Sequence, residues 1–161
     1  MDDLLDEFEA GGPKAAPEDL FRRLEAMCRA LVGVKLFTCS RFDLAAGVAE
    51  RIYTSDEEAY PLTGLKEIVP NRWTGIVLDR REPFLATTIE ELRDVFPDHE
   101  KIEALGLGAV INLPVHDRNR FLGTLNLLHR NGHYSEESLP PLRRVCGPAV
   151  IAFLSQVRPD E

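Results

Sequence analysis

The chain predicts an α+β fold, an antiparallel sheet with helices gathered on its faces. Three observations carry this. An amphipathic helical stripe opens the ordered text, two pairs of period-two segments follow with an irregular stretch between them, and a second broad apolar helix closes it. Consecutive strands joined by short turns pair antiparallel, and helices placed before and after them have one face of that sheet to cover.

The first element is "PEDLFRRLEAMCRALVG", where Leu20, Leu24, Met27, Cys28 and Leu31 fall on one helical stripe. Proline and acids open it and Gly33 closes it. "VKLFTCSRFD" and "GVAERIYTS" read as a hairpin around the "AAG" turn. "DEEAYPLTGLKEIVPN" reads as irregular, and long loops in small domains often serve function. After it come a short helix in "RWTGIVLDRRE", a short strand in "PFLAT", a helix in "TIEELRDVF" opened by Thr87 or Thr88, and a turn or two in "PDHEKIEALGLG". "NLPVHDRNRFLGTLNLL" supplies the last hairpin, with Arg118 and Asn119 as its turn and Asn119 expected at positive φ. In the closing helix Ser138 is the expected cap, and Pro148 is expected to kink the helix near Arg144.

One domain is expected over residues 18–157, after a loosely held acidic leader at 1–17 and before a tail at 158–161. The chain has 161 residues, 44% apolar and 29% charged, the balance of a globular protein. A net charge of −8 repels phosphate backbones and anionic lipid, so neither nucleic acid nor membrane is an expected partner. The acidic start has neither a basic region nor an apolar core of the kind that targets secretion, and a cytoplasmic location is expected. Cys28, Cys39 and Cys146 form an odd, widely spaced set that reads as small buried hydrophobes. The "HRNGH" spacing of His129 and His133 sits on a strand end and glycine loop, a poor frame for zinc. No metal or cofactor is expected.

Asn112 and Asn126 pose the sharpest question. Strands disfavour asparagine, and a buried amide without partners costs a few kcal/mol. A simple two-residue turn would put the two amides on opposite faces of the sheet. One extra residue near Gly123, where glycine often marks a bulge, would bring Asn126 to the face of Asn112. The amides then either bond loop backbone or face a ligand. Trp73 opens a crossover helix and serves either as core or as a pocket wall. His99 and Glu103, four apart on one helical face, read either as an ion pair or as further lining.

Taken in order, "NRWTGIVLDRREPFLAT", "LGLGAVINLPV" and "FLGTLNLLH" resemble the GAF family of small-molecule sensor domains across about residues 18 to 157. The resemblance implies a pocket between the sheet and the crossover, lined here by Trp73, His99, Asn112 and Asn126. Three activities of the family lack their residues. The cyclic-nucleotide signature cannot be placed on this chain. The cysteine and Pro-x-Ser-Asp-x-Pro loop of bilin-binding members do not occur. The crossover cysteines of free-methionine sulfoxide reductases do not occur either, since no cysteine lies between Cys39 and Cys146. The expected function is a non-catalytic, ligand-binding sensory module whose partner is an unidentified small molecule. A thiol redox enzyme using Cys39 is the alternative. The terminal helices carry more apolar surface than one contact needs, with Phe21, Cys28, Ile151 and Phe153 widening their stripes, so a homodimer through them is expected, the alternative being a monomer whose leader covers the same surface through Leu4, Leu5 and Phe8.

Overall fold

A computed structural model describes residues 16–156. The predicted leader, with Leu4, Leu5 and Phe8, and the predicted tail lie outside the described residues, apart from positions 16 and 17. The architecture is α+β. Helix α1 (Pro17–Leu31) leads into strands β1 (Leu36–Asp43) and β2 (Val48–Thr54), then a two-residue strand β3 (Lys66–Glu67). The crossover holds α2 (Arg72–Thr74), β4 (Phe84–Ala86) and α3 (His99–Ala104). Strands β5 (Ala109–Asp117) and β6 (Arg120–His129) follow, and α4 (Cys146–Leu154) ends the described chain. The strands form one six-stranded sheet in the order β3-β2-β1-β6-β5-β4, with every neighbouring pair antiparallel.

Period-two alternation sends successive residues of β1, β5 and β6 to opposite faces. On one face Phe37, Cys39, Ile111, Leu125 and Leu127 pack with Leu20, Phe21, Leu24 and Met27 of α1 and with Ala149, Ala152 and Phe153 of α4. Phe21 and Phe153 meet edge to face at 5.2 Å. On the other face the crossover builds a second cluster from Val77, Phe84, Ile89, Leu92, Val95 and Ile102 over Leu36, Val110 and Leu128.

The helices depart from expectation at their ends. Ser135, not Ser138, caps the closing segment. Ser138 stands three residues on and returns the bond, so the pair makes a capping box. The closing segment is 3₁₀ over Pro140–Val145 and α-helical from Cys146, which puts the break at the carbonyl that Pro148 cannot bond, close to the predicted kink. "TIEELRDVF" forms only a 3₁₀ turn at Ile89–Leu92, because Phe96 folds back to close the turn and Pro97 follows at once. The Arg118–Asn119 turn is present, but Arg118 takes the positive φ, at 54°.

The broad apolar stripes are consumed inside the domain. Phe21 and Cys28 have no exposure and Phe153 is 2% exposed, which removes three of the four residues cited for a second surface. Ile151 and Leu154 stay exposed. Cys146, expected to be buried, is exposed at the start of α4.

Candidate functional site

The register of the last hairpin decides the site. His116 pairs with Phe121 and Val115 with Gly123, so Leu122 is an extra residue on β6. That bulge sets Asn112 directly opposite Asn126. Both amides face the crossover.

They bond each other and their surroundings in one direction. The Trp73 indole Nε1–H donates to Asn112 Oδ1 at 2.9 Å, and Asn112 Nδ2 donates to Asn126 Oδ1 at 2.8 Å. Asn126 Nδ2 then donates to Thr38 Oγ1 at 3.1 Å and Ser40 Oγ at 3.3 Å. A polar band therefore runs across β5, β6 and β1, with the indole fixed at one end.

Above the band lies a cavity of about 220 Å³. Its floor is Leu36, Thr38, Ser40, Phe42, Val110, Asn112, Thr124 and Asn126, with Arg51 at the β2 side, and its roof includes Tyr60, Trp73, Phe96, Asp98 and Ile102. Larger grooves of about 800 and 760 Å³ run elsewhere on the molecule. This smaller cavity lies between the sheet and the crossover, with polar groups converging on it.

The capping box of Asn71 and Thr74 starts α2 and holds Trp73 over the sheet. A π-helical turn over Gly75–Asp79 follows directly, a deviation often found beside functional sites. The Trp73 ring lies 6.1 Å from Phe42 and 6.5 Å from Phe96. On the opposite wall the Tyr60 hydroxyl donates to Asp98 Oδ2 at 2.5 Å. Burial, then that bond, push the Tyr60 phenol well above its ordinary range, so it remains a donor. Arg51 stacks its guanidinium 4.9 Å from the Tyr60 ring centre and donates to Pro61 O at 2.7 Å. Burial lowers Arg51 from its ordinary value, while Tyr60 and Asp98 oppose the shift.

Of the residues singled out in the sequence, Trp73, Asn112 and Asn126 meet in this cavity, whereas His99 is not part of its lining. Asp98, which precedes α3 at its cap position, and Ile102 within α3 line it instead, the same four-residue spacing shifted by one. Glu103 approaches Arg93 at 3.7 Å, not His99. Sequence reasoning missed Thr38, Ser40, Arg51, Tyr60 and Thr124. The signal for three of them was present, since Thr38, Ser40 and Thr124 alternate with core residues on their strands.

Cys39 stands on the helix face with no exposure, one layer away from the cavity. Burial, ahead of the charges of Cys28 and Glu25, holds its thiol well above the ordinary value. Cys28 is pushed up to about 12 by burial and by Glu25. Among the described residues no group of three or more His, Cys, Asp or Glu side chains is placed to hold a metal ion, and no helix is long and apolar enough to cross a membrane.

No family model matches the chain, and no curated protein does. Solved structures do. The GAF domain/HD domain protein from Geobacter sulfurreducens superposes with a TM-score of 0.69 at 15% identity, covering 91% of this chain and 98% of that one. The GAF domain of a two-component sensor histidine kinase from Bacillus halodurans gives 0.66 at 13% identity, over 84% and 92%. The phycoerythrobilin-bound GAF domain from a cyanobacterial phytochrome gives 0.64 at 17% identity, over 96% and 94%. By strand order, layer arrangement and these superpositions, the chain has the GAF fold.

Proposed function

We propose that the chain is a sensory module that binds a small molecule between the sheet and the crossover and performs no chemistry on it. The observation that carries this is the polar band at the floor of the cavity between sheet and crossover. Its hydroxyls accept bonds from Asn126, yet their own protons find no acceptor among the described residues. An acceptor atom of a ligand lying on this band would take up those protons, and this supports the reading. Structural neighbours that are sensor-kinase and photoreceptor domains support the same reading. Trp73, Asn112 and Asn126 are the proposed ligand contacts from the sequence. His99 has no contact with the cavity on which to base such a role.

The Cys39 alternative gains no support from this arrangement, because its thiol faces the helices. The reading includes a cytoplasmic protein, a single domain over residues 18–157, and a homodimer through the terminal helices. Ile151 and Leu154 are the apolar side chains of α4 left for that contact. Sedimentation equilibrium at micromolar concentration reads the dimer, and a monomer there removes it. Native mass spectrometry of protein purified from its own host tests the binding function. A stoichiometric co-purifying small molecule is expected. A bare polypeptide mass, joined to unchanged melting across a broad metabolite panel, would overturn the reading.

A further inference from the structure

Hydrogen-bond direction in the cavity restricts what it selects. An indole N–H only donates, so Asn112 must turn Oδ1 toward Trp73 and Nδ2 toward Asn126. Asn126 in turn must accept with Oδ1 and donate with Nδ2, to Thr38 Oγ1 and Ser40 Oγ. The indole thus sets the polarity of the whole band. It ends on hydroxyl oxygens already used as acceptors, each with a proton left to give. Thr124 lines the same cavity at 1% exposure, and its hydroxyl has no partner among the described residues.

Register then aligns these donors with a cation. Ser40 pairs with Thr124 on one side and with Arg51 on the other, so Arg51, Ser40 and Thr124 form one cross-strand row on the cavity side. Arg51 donates to Pro61 O and covers Tyr60, and among the described residues no carboxylate lies within ion-pair distance of it. Two rows along, Leu36, Leu128 and Val110 face each other across β1, β6 and β5 as an aliphatic floor, and Ile102 of α3 lines the same cavity. One end of the cavity floor offers donors and a positive charge, the other end of the floor offers hydrocarbon, and Tyr60 and Asp98 stand on the roof.

We propose that this cavity takes a small monocarboxylate, its carboxylate accepting from Arg51, Ser40 and Thr124 and its apolar body lying against Leu36, Ile102, Val110 and Leu128. The proposal rests on the binding reading above and names its ligand class. Among the described residues Arg51 is the only Lys or Arg lining the cavity, and Asp98 lines it too, with Oδ2 occupied by the Tyr60 hydroxyl. A phosphate dianion would set two charges against one guanidinium beside a carboxylate, whereas one negative charge is what the row can match. A planar guanidinium flanked by hydroxyls fits a carboxylate. The space, equal to about seven waters, is of the size of a short aliphatic or single-ring acid.

Trp73 is the sole tryptophan and stands in the cavity wall, so its fluorescence reports occupancy. Hexanoate, isovalerate and benzoate, each paired with its neutral amide, are titrated into the purified protein, alongside leucine as an amino acid of similar size. Saturable binding of at least one acid is expected, with its amide at least about tenfold weaker. Arg51→Gln should weaken the acid by about tenfold or more and leave the amide unchanged, and Thr124→Val should weaken the acid severalfold. Thr124→Val keeps side-chain shape and carries the test if loss of the Pro61 bond unfolds Arg51→Gln. Amides that bind as tightly as acids, or acid binding indifferent to both substitutions, would overturn the carboxylate assignment and leave the binding function standing. Preference for leucine over the plain acids would also overturn it, by assigning Asp98 to an ammonium. Silence from acids, amides and leucine together would remove the assignment, and the melting panel described above then decides the binding function separately.

Discussion

The two faces of the sheet are written by alternate letters of the same strands, and they solve opposite problems. Toward the helices, Phe37, Cys39, Ile111, Leu125 and Leu127 have no exposure and meet only hydrocarbon, sulfur or ring. Toward the crossover, their neighbours Thr38, Ser40, Asn112, Thr124 and Asn126 line a cavity. The helix face is held by volume, where each missing methylene leaves a void. The cavity side is held by direction, where each missing donor strands an acceptor. A substitution therefore reads differently according to the side of the strand on which it falls, and this gives ways to test the contrast.

The largest effect is expected on the helix face. Phe153→Ala removes a ring that is 2% exposed and packed against Phe21, and should cost about 3–5 kcal/mol in urea unfolding. A loss below about 1 kcal/mol would mean that this face tolerates a void and is not close-packed. Gly123→Ala comes next, at about 2–3 kcal/mol. An added Cβ there would lie 2.2 Å from Ser40 O and 2.5 Å from Phe153 Cε1. The first of these is backbone, which can withdraw only by disturbing the β1–β6 ladder, so the same assay should show a clear loss even for one methyl group.

The cavity side should answer to pairing instead of size. Asn112→Leu leaves the Trp73 N–H and Asn126 Oδ1 without their partner and should cost about 1–3 kcal/mol. Replacing both asparagines by leucine should cost less than the sum of the two single changes, because the second substitution removes an acceptor that the first had orphaned. Additive losses in that double-mutant cycle would deny that the amides act as one band. The Trp73 emission maximum should move in the single variant, as its indole loses its acceptor.

Most of the architecture was legible because it is periodic. The stripe of α1, the alternation of β1, β2, β5 and β6, and the short "PFLAT" strand appear where their patterns lie. Strand β3 was hidden, since two exposed residues, Lys66 and Glu67, carry no period. The site was half legible. Asparagine in a strand is conspicuous, and so is a lone tryptophan. Threonine and serine in strands are ordinary, so Thr38, Ser40 and Thr124 passed as routine alternation. Arg51 and Tyr60 gain their meaning only from register and from the path of an irregular loop, which no local pattern encodes. The lining at α3 was displaced by one residue, to Asp98 and Ile102, because a helix of six residues has too little text to fix its phase. The bulge at Leu122 was foreseeable in kind, from the nearby glycine, but its position follows from how the hairpin turn closes.

The smallest expected effect sharpens the contrast at a polar rim of the helix face. His129 and His133 stack there with ring centres 3.4 Å apart and planes within 7°. His129 Nδ1 accepts from Arg130 N at 2.9 Å, and His133 Nε2 lies 2.8 Å from Val32 O. Burial, then the nearby charges of His133, Lys35 and Arg130, hold His129 down to about 4. An unfolded histidine titrates near 6.5, so between those values the unfolded chain binds more protons than the folded one. The stabilisation from a neutral His129 is thus complete above about pH 6.5 and is lost as the pH falls toward about 4. Solvent reaching this part-exposed ring reduces it to about 1 kcal/mol. His129→Asn removes the titration while leaving the carboxylates that destabilise both proteins alike in acid. Urea midpoints measured from about pH 7 to 4.5 should therefore fall less steeply in the variant than in the wild type. Equal slopes would show that His129 makes no proton-linked contribution, and that the helix face owes its stability to packing right up to its edge.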